Sequence, residues 1–199
     1  MMRSVHPTNR SGGWRAKRGY LQRAQRALKL AEDLRAALTE AEGRHASAVQ
    51  AGVSPPYEEV RIPFQDFLDT HMHAEAAIMF AALSIEAFLN LYGVMRFEED
   101  FYERQFERLG PRAKVAAIVV ACLSRVLDDS DELLQIVGRI ASARNDLAHP
   151  KAREIRDGRV LSDPPPPYER ARQAVADAER FFALFVGLDP DAESLVLSA

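Results

Sequence analysis

The chain has 199 residues, of which 47% are hydrophobic and 28% charged, and its formal net charge at pH 7 is −3. This length suits one domain with a sizeable core, and the composition excludes a disordered chain. The single cysteine, Cys122, excludes a disulfide framework within the chain and is typical of a cytoplasmic protein, where we expect this thiol to pack in the core.

The charge is unevenly distributed along the chain. Residues 1–30 carry eight basic side chains and no acidic one, so the rest of the chain contains 18 basic and 29 acidic residues. Such a basic arm is typical of a segment that binds RNA, DNA or an acidic partner, although a frayed tail beside a solvated helix start has the same pattern. No apolar run follows, so we do not expect a secretory signal. Residues 1–14 are predicted to form a disordered basic lead.

Hydrophobic periodicity predicts an all-α fold, an up-and-down bundle of about five to six helices. In the first helix the apolar residues recur at spacings of three and four, and the second helix is apolar on most faces, as in the centre of a bundle. The helices are predicted over residues 15–50, 64–97, 98–108, 112–127, 128–149 and 168–188. Residues 15–188 then form a single helical domain, and residues 189–199 a C-terminal tail.

Particular residues set the predicted helix ends. Pro55, Pro56 and Pro63 are expected to separate the first two helices. Asp129 with Glu132 fits a capping box at the start of the fifth helix. That helix should end by His149, because a proline at position 150 disfavours the α conformation in the residue before it. In the loop that follows, a small hairpin around Asp157 is possible but not required.

The longest apolar stretch, residues 76–95, is interrupted by Ser84, Glu86 and Asn90. A membrane span would place the Glu86 carboxylate in hydrocarbon, so a helix buried in a protein core is the better interpretation. We therefore expect a cytoplasmic protein with no membrane partner.

Most enzyme signatures are absent from the sequence, including phosphate-binding glycine loops and paired cysteines. On a helix, His71 and His73 point about 200° apart. Only His71 and Glu75 share a face, and two ligands make a poor metal site, so we predict neither a metal nor a cofactor.

The segment from Arg144 to His149 is the best candidate for chemistry. Arg144 and Asn145 come late in a helix whose earlier turns are apolar, and a histidine follows at its end. A guanidinium fork matches phosphate oxygens, and an imidazole can exchange a proton near neutral pH. The alternative is a helix C-terminus closed by basic side chains, with Asn145 and Asp146 as termination residues. Spacing alone leaves both interpretations open.

Arg144-Asn145-x-x-x-His149 resembles the R-N-x-x-x-H signature of HEPN domains, the small helical bundles of prokaryotic defence and toxin–antitoxin systems. Upstream, ALSIEAFLN at residues 82–90 resembles the "sIEaflN" helix of several HEPN-type families. The order is also similar, with a long central helix, the motif at the end of a later helix, and a closing helix. The resemblance covers residues 64–188 and implies a HEPN-like bundle.

The resemblance also implies a function, a metal-independent endoribonuclease in a toxin–antitoxin or phage-defence role. His149 would be the general acid/base, Arg144 would neutralise charge on the phosphorane, and Asn145 would orient the phosphate or the histidine. Each chain supplies one motif histidine, so a homodimer that joins two motifs is expected, with RNA as substrate and an antitoxin protein as a possible partner. Toxins paired with a nucleotidyltransferase commonly carry a tyrosine where Lys151 stands here, which disfavours that partnership.

Other residues have two open interpretations. Glu86 and Asn90 share a helix face and either support the motif from behind or satisfy one another or a helix end. Lys151, Arg153, Arg156 and Arg159 either line an RNA path or form a solvated basic loop. Some HEPN proteins keep the motif without turnover. The alternative function is therefore a non-catalytic helical module that binds RNA or a protein through the basic N-terminal region, and a third is a purely structural dimerisation protein.

Overall fold

The computed structural model describes residues 19–53, 57–148, 155–156, 159–160 and 167–196, with the backbone alone for residues 57–64, the four strand residues and Val196. The described elements are α1 (Tyr20–Gln50), α2 (Tyr57–Arg96), α3 (Glu99–Gln105), α4 (Pro111–Leu123), α5 (Glu132–Ala148), β1 (Ile155–Arg156), β2 (Arg159–Val160), α6 (Pro167–Leu188), a 3-10 turn (Pro190–Ala192) and α7 (Glu193–Val196). The predicted all-α bundle is confirmed.

The helix α2 is the centre of the bundle and contacts α1, α3, α4, α5 and α6. It is held to α6 by aromatic rings, since Phe88 packs edge-on against Phe182 and Phe185 with ring centroids 5.4 and 5.0 Å apart. The predicted stripe of α1 faces this core, where Ala24 and Ala31 are fully buried. Small residues on α1 and large ones on α2 and α6 let three long helices approach closely, and the buried apolar area stabilises the fold.

The described helix bounds differ from those predicted mainly at the start of α2, the end of α4 and the start of α5, which begins at Glu132 rather than at residue 128. The helix α2 begins at Tyr57, so Pro63 lies inside it near its N-terminal end, where a proline removes one backbone hydrogen bond without ending the helix. The helix α4 ends at Leu123 because Ser124 adopts a left-handed conformation with φ of 53°, and its N–H bonds the carbonyl of Val120 at 3.1 Å. The connection between α1 and α2 is therefore shorter than predicted, because α1 ends at Gln50 and α2 already begins at Tyr57.

The predicted capping box at the start of α5 is wrong. The carboxylate of Asp131, not of Asp129, accepts from the N–H of Leu133 at 3.0 Å, and this makes Asp131 the N-cap. Glu132 instead forms a bidentate ion pair with Arg180 on α6, with both N–O distances 2.8 Å. The helix ends at Ala148, as predicted from Pro150.

The hairpin that the sequence allowed around Asp157 is present as two paired residues on each strand. The strands are antiparallel, with Ile155 opposite Val160 and Arg156 opposite Arg159. The turn between them lies outside the described residues.

The predicted C-terminal tail is in part a folded element. Ala192 and Leu195 are buried in the core, and Asp189 is buried beneath α2. The Asp189 carboxylate accepts from the hydroxyl of Tyr92 at 2.6 Å and from the guanidinium of Arg96. Residues 190–196 therefore belong to the bundle, because this ion pair and two apolar side chains hold them against it.

One described segment, Gln65–Arg96, is long and apolar enough to span a membrane by length and composition. Half of its most apolar stretch is buried inside the bundle, and the central helix of a globular core passes the same test. The observation is weak evidence for a membrane helix.

Candidate functional site

Arg144 and Asn145 lie in the last turn of α5, beside the central helix. A guanidinium nitrogen of Arg144 is 3.6 Å from a carboxylate oxygen of Glu86, and the two side chains are 34% and 45% exposed. The same guanidinium donates to the Asn145 side-chain oxygen at 3.1 Å. A neighbouring carboxylate and amide thus orient the Arg144 fork at the surface, where a third of it is open to solvent.

An arginine of the closing helix contacts α5 one turn before its end. Arg170 of α6 donates to the backbone carbonyl of Ala143 at 3.2 Å and to the carboxylate of Asp146 at 3.3 Å. Ala143 lies before the last four residues of α5, so this bond joins α6 to α5 and does not cap the helix. The alternative interpretation gave a capping role to the motif's own basic residues, but among the described residues Arg144 has no bond to a helix carbonyl.

Glu86 and Asn90 share one face of α2 and have different partners. Glu86 lies against Arg144 of the motif. The side-chain oxygen of Asn90 instead accepts from the hydroxyl of Tyr102 at 2.7 Å and from the ammonium of Lys114 at 2.9 Å. Asn90 therefore joins α2 to α3 and α4 and fixes the wall behind the Glu86–Arg144 pair.

The approach of Tyr102 depends on Gly93. A Cβ atom at position 93 would lie 2.1 Å from the ring of Tyr102, so only glycine allows the ring to pack flat on α2. Burial raises the pKa of the Tyr102 hydroxyl, and Glu107 and Glu86 add to this effect. The hydroxyl therefore stays protonated and remains a donor to Asn90.

Lys114 is a buried cation that the sequence analysis missed. It is only 4% exposed, and burial lowers the pKa of its ammonium, although the carboxylates of Glu86 and Glu107 oppose this. Its signal in the sequence is weak, since it is the one charged residue beside the apolar run from Val115 to Leu123. A helix that is apolar on almost every face has to bury its few polar side chains as well.

The Glu86 carboxylate thus interacts with two positive groups, with Arg144 at 3.6 Å and with the charge of Lys114, whose own hydrogen-bond partner is Asn90. Lys114 is buried and fixed, whereas Arg144 is half-buried and keeps donors that its long contact with Glu86 does not saturate. A guanidinium held in this way can bind a planar or tetrahedral oxyanion, and phosphate is the best match to its fork.

The other residues predicted for the site lie outside the described part of the chain. They are His149, Lys151 and Arg153, and the basic lead over residues 1–18 is outside it too. Of the basic residues in the described start of α1, Arg23 lies over the ring of Phe80 at 6.0 Å, and Lys29 pairs with Asp33 at 2.7 Å.

The histidines that the sequence offers as metal ligands lie in the described part of α2. The imidazole of His71 packs on Phe67 with ring centroids 4.1 Å apart, and its Nδ1 lies 2.9 Å from the Phe67 carbonyl oxygen. Within the described ranges, no three histidine, cysteine or acidic side chains come together as metal ligands. Cys122 is partly buried beside Tyr92, and burial raises the pKa of its thiol to about 11, which makes it a poor nucleophile.

Comparison of the chain with protein-family models, with curated proteins and with solved structures gives no match. Membership in the HEPN superfamily therefore stays a prediction from the motif and its placement.

Proposed function

We propose that this protein is a metal-independent endoribonuclease of the HEPN type, in a toxin–antitoxin or phage-defence role. The observation that carries the proposal is the Arg144 guanidinium in the last turns of α5, which is about one-third exposed, oriented by Glu86 and adjacent to Asn145. These are the first two positions of the R-N-x-x-x-H pattern. Among the described residues Arg144 makes no bond to a helix carbonyl, so its guanidinium is available to an oxyanion, and this supports the proposal.

In the proposed reaction, the 2′-hydroxyl of one ribose attacks the adjacent phosphorus. The bond from phosphorus to the 5′-oxygen of the next nucleotide breaks, which leaves a 2′,3′-cyclic phosphate and a free 5′-hydroxyl. His149 removes the proton of the attacking hydroxyl or delivers one to the leaving oxygen. Arg144 stabilises the charge that develops on the phosphorane oxygens, and the Asn145 amide orients the phosphate.

The reaction needs both a base and an acid, and each chain supplies one motif histidine. The proposal therefore includes a homodimer in which two motifs face one RNA strand. Asn90, Tyr102 and Lys114 act as positioning residues, because they hold the helix that carries Glu86 against α3 and α4.

The test is an RNA-cleavage assay in excess EDTA with the wild type, Arg144→Ala and His149→Ala. Arg180→Ala is the matched control, since Arg180 of α6 also forms a surface ion pair with a glutamate, but its partner Glu132 lies at the start of α5, far from the motif. We expect cyclic-phosphate products from the wild type and the control, and a loss of at least about 100-fold in the two motif variants. Equal cleavage, or none, by all four proteins at high concentration contradicts the nuclease.

The uneven charge favours one second candidate, a non-catalytic module that binds RNA or an acidic protein through its basic N-terminal region. Ala24 and Ala27 of α1 are buried, so removing residues 1–30 would also remove part of the core. Deleting residues 1–18 takes away five basic side chains and leaves α1 whole. If RNA binding is lost in this deletion but kept in Arg144→Ala, the arm is the functional part.

A further inference from the structure

An open groove of about 820 Å³ lies between the N-terminal end of α4 and the outer face of α5. Asn145 of the motif is part of its wall, so the groove begins at the candidate site. A volume of this size is typical of pockets that bind a small organic group such as one nucleotide. Its lining residues include Arg112, Gly138, Ser142, Asn145 and Asp146.

The side chain of Arg112 lies against α5 at Gly138, inside this groove. A Cβ atom at position 138 would be 3.4 Å from the Arg112 Cδ, which is van der Waals contact, so a larger side chain there would occupy the space beside the Arg112 stem. Its guanidinium has a single described ion-pair partner, the Asp129 carboxylate at 3.1 Å, which is fully exposed. An exposed pair of this kind contributes little, and a phosphate can displace the carboxylate.

The polar groups of the groove favour an anion. The Ser142 hydroxyl is exposed, and the Asn145 amide nitrogen is a donor, since it is the side-chain oxygen that binds Arg144. The one carboxylate in the wall, Asp146, is engaged by Arg170 at 3.3 Å. A groove wall with an arginine, an amide donor and a hydroxyl, whose one acid is paired with Arg170, matches a phosphodiester better than a cation or an apolar peptide.

We propose that this groove binds the nucleotide next to the scissile phosphate, with Arg112 on the neighbouring phosphodiester. The inference rests on the proposed function for the identity of the strand as RNA. The contact is to the backbone and not to a base edge, so Arg112 contributes to affinity equally for different sequences.

The experiment measures binding without cleavage. A fluorescein-labelled RNA of about 12 nucleotides, 2′-O-methylated throughout, has no attacking hydroxyl and stays intact. Its anisotropy is titrated with the wild type, Arg112→Ala, Gly138→Leu and the control Arg180→Ala at several salt concentrations between about 50 and 200 mM. The Gly138→Leu side chain enters the groove, and leucine is a better helix former than glycine, so the helix is kept.

We expect Arg112→Ala and Gly138→Leu each to weaken binding about 5-fold or more, and Arg112→Ala to reduce the salt dependence by about one phosphate contact. Arg180→Ala should bind like the wild type. Equal binding by all four proteins, or no binding by the wild type at low salt, overturns the inference.

A parallel cleavage assay separates the two proposals. If no protein cleaves unmodified RNA but Arg112→Ala still loses binding, the nuclease fails and the groove stands. If Arg112→Ala and Gly138→Leu cleave and bind as well as the wild type, the groove fails and the nuclease stands.

Discussion

Two polar clusters lie within three turns of each other on α2, and they differ in how completely their groups are satisfied. In the first, the Asp189 carboxylate is 8% exposed and accepts from Tyr92 and Arg96, while its other oxygen accepts from the Asp191 N–H at 3.3 Å. In the second, Glu86 and Arg144 are 3.6 Å apart and about a third to a half exposed. The polar groups of the first cluster are buried and hydrogen-bonded to one another, so they cannot readily bind a further partner. Those of the second cluster are partly exposed and can bind one.

The difference separates a structural role from a candidate functional one. A buried carboxylate that accepts from several donors fixes the elements that it joins, because losing any one of these hydrogen bonds leaves a buried polar group unpaired and destabilises the fold. An exposed, long ion pair contributes little to stability, but its donors can be transferred to a ligand. Four substitutions test this comparison, beginning with the largest expected effect.

Asp189→Ala should be the most damaging. It leaves the Arg96 guanidinium buried without its carboxylate, in a position where its Nε already has no described partner. We expect the free energy of unfolding to fall by about 3–5 kcal/mol, measured by urea denaturation. Asp191→Ala, at an exposed position two residues on, is the control and should cost far less. A loss below about 1 kcal/mol for Asp189→Ala would mean that this cluster is not a structural one.

Gly93→Ala tests the wall behind the second cluster. The new methyl group would lie 2.1 Å from the Tyr102 ring, so the ring and its hydrogen bond to Asn90 have to move. We expect a loss of about 1–3 kcal/mol in unfolding free energy and a changed near-ultraviolet tyrosine signal. The control is Gly43→Ala on the open surface of α1, where alanine should be neutral or stabilising.

Lys114→Met asks whether the buried cation stabilises the fold. Burial disfavours the charge of this ammonium and lowers its pKa. When Lys114 is replaced, the Asn90 side-chain oxygen still accepts a hydrogen bond from Tyr102. We expect a change within about 1 kcal/mol at pH 7, since a hydrophobic side chain of similar volume replaces a desolvated charge.

The pH dependence of Lys114→Met has a definite sign. A lysine whose folded pKa lies below 10.5 releases its proton more readily in the folded state. The wild type should therefore gain stability relative to Lys114→Met as the pH rises through the folded pKa toward 10.5. A difference that stays constant or moves the other way would show that the ammonium is not disfavoured by burial.

Glu86→Gln should have the smallest effect on the fold, below about 0.5 kcal/mol in unfolding free energy. It removes the carboxylate that competes with phosphate for Arg144, so RNA affinity should rise about 2- to 5-fold in the anisotropy titration. Glu132→Gln is the matched control, because it alters the similar Glu132–Arg180 pair and should leave RNA binding unchanged. An equal rise in both variants would indicate only a change in net charge.

Much of the fold follows from the sequence because periodicity reports burial locally. The apolar face of α6 is an example, since its sequence pattern predicts Val175, Ala178, Phe182, Phe185 and Val186 to face inward; the first four are buried and Val186 is partly buried. The same periodicity predicts the order of the helices, and Pro150 predicts the end of α5. The start of α2 could not be predicted in this way. A proline such as Pro63 indicates a helix boundary in the sequence, but a helix can continue through a proline that lies near its N-terminal end.

The partners of the site residues could not be predicted from spacing. Glu86 and Asn90 are four residues apart and were placed on one face, but nothing local shows that one faces Arg144 and the other Lys114. Arg96 and Asp189 are 93 residues apart, and their pairing depends on how α6 returns along α2. Contacts of this kind are set by tertiary packing, which a single sequence does not display.

The docking of residues 190–196 has a practical consequence for anyone who prepares this protein. A fragment that stops at Leu188 loses the carboxylate of Asp189 together with the apolar anchors Ala192 and Leu195, and exposes the surface of α2 that they cover. Such a fragment should be prone to aggregation and proteolysis even though every long helix is present. Expression vectors should therefore encode the chain at least through Val196, with any purification tag placed beyond it.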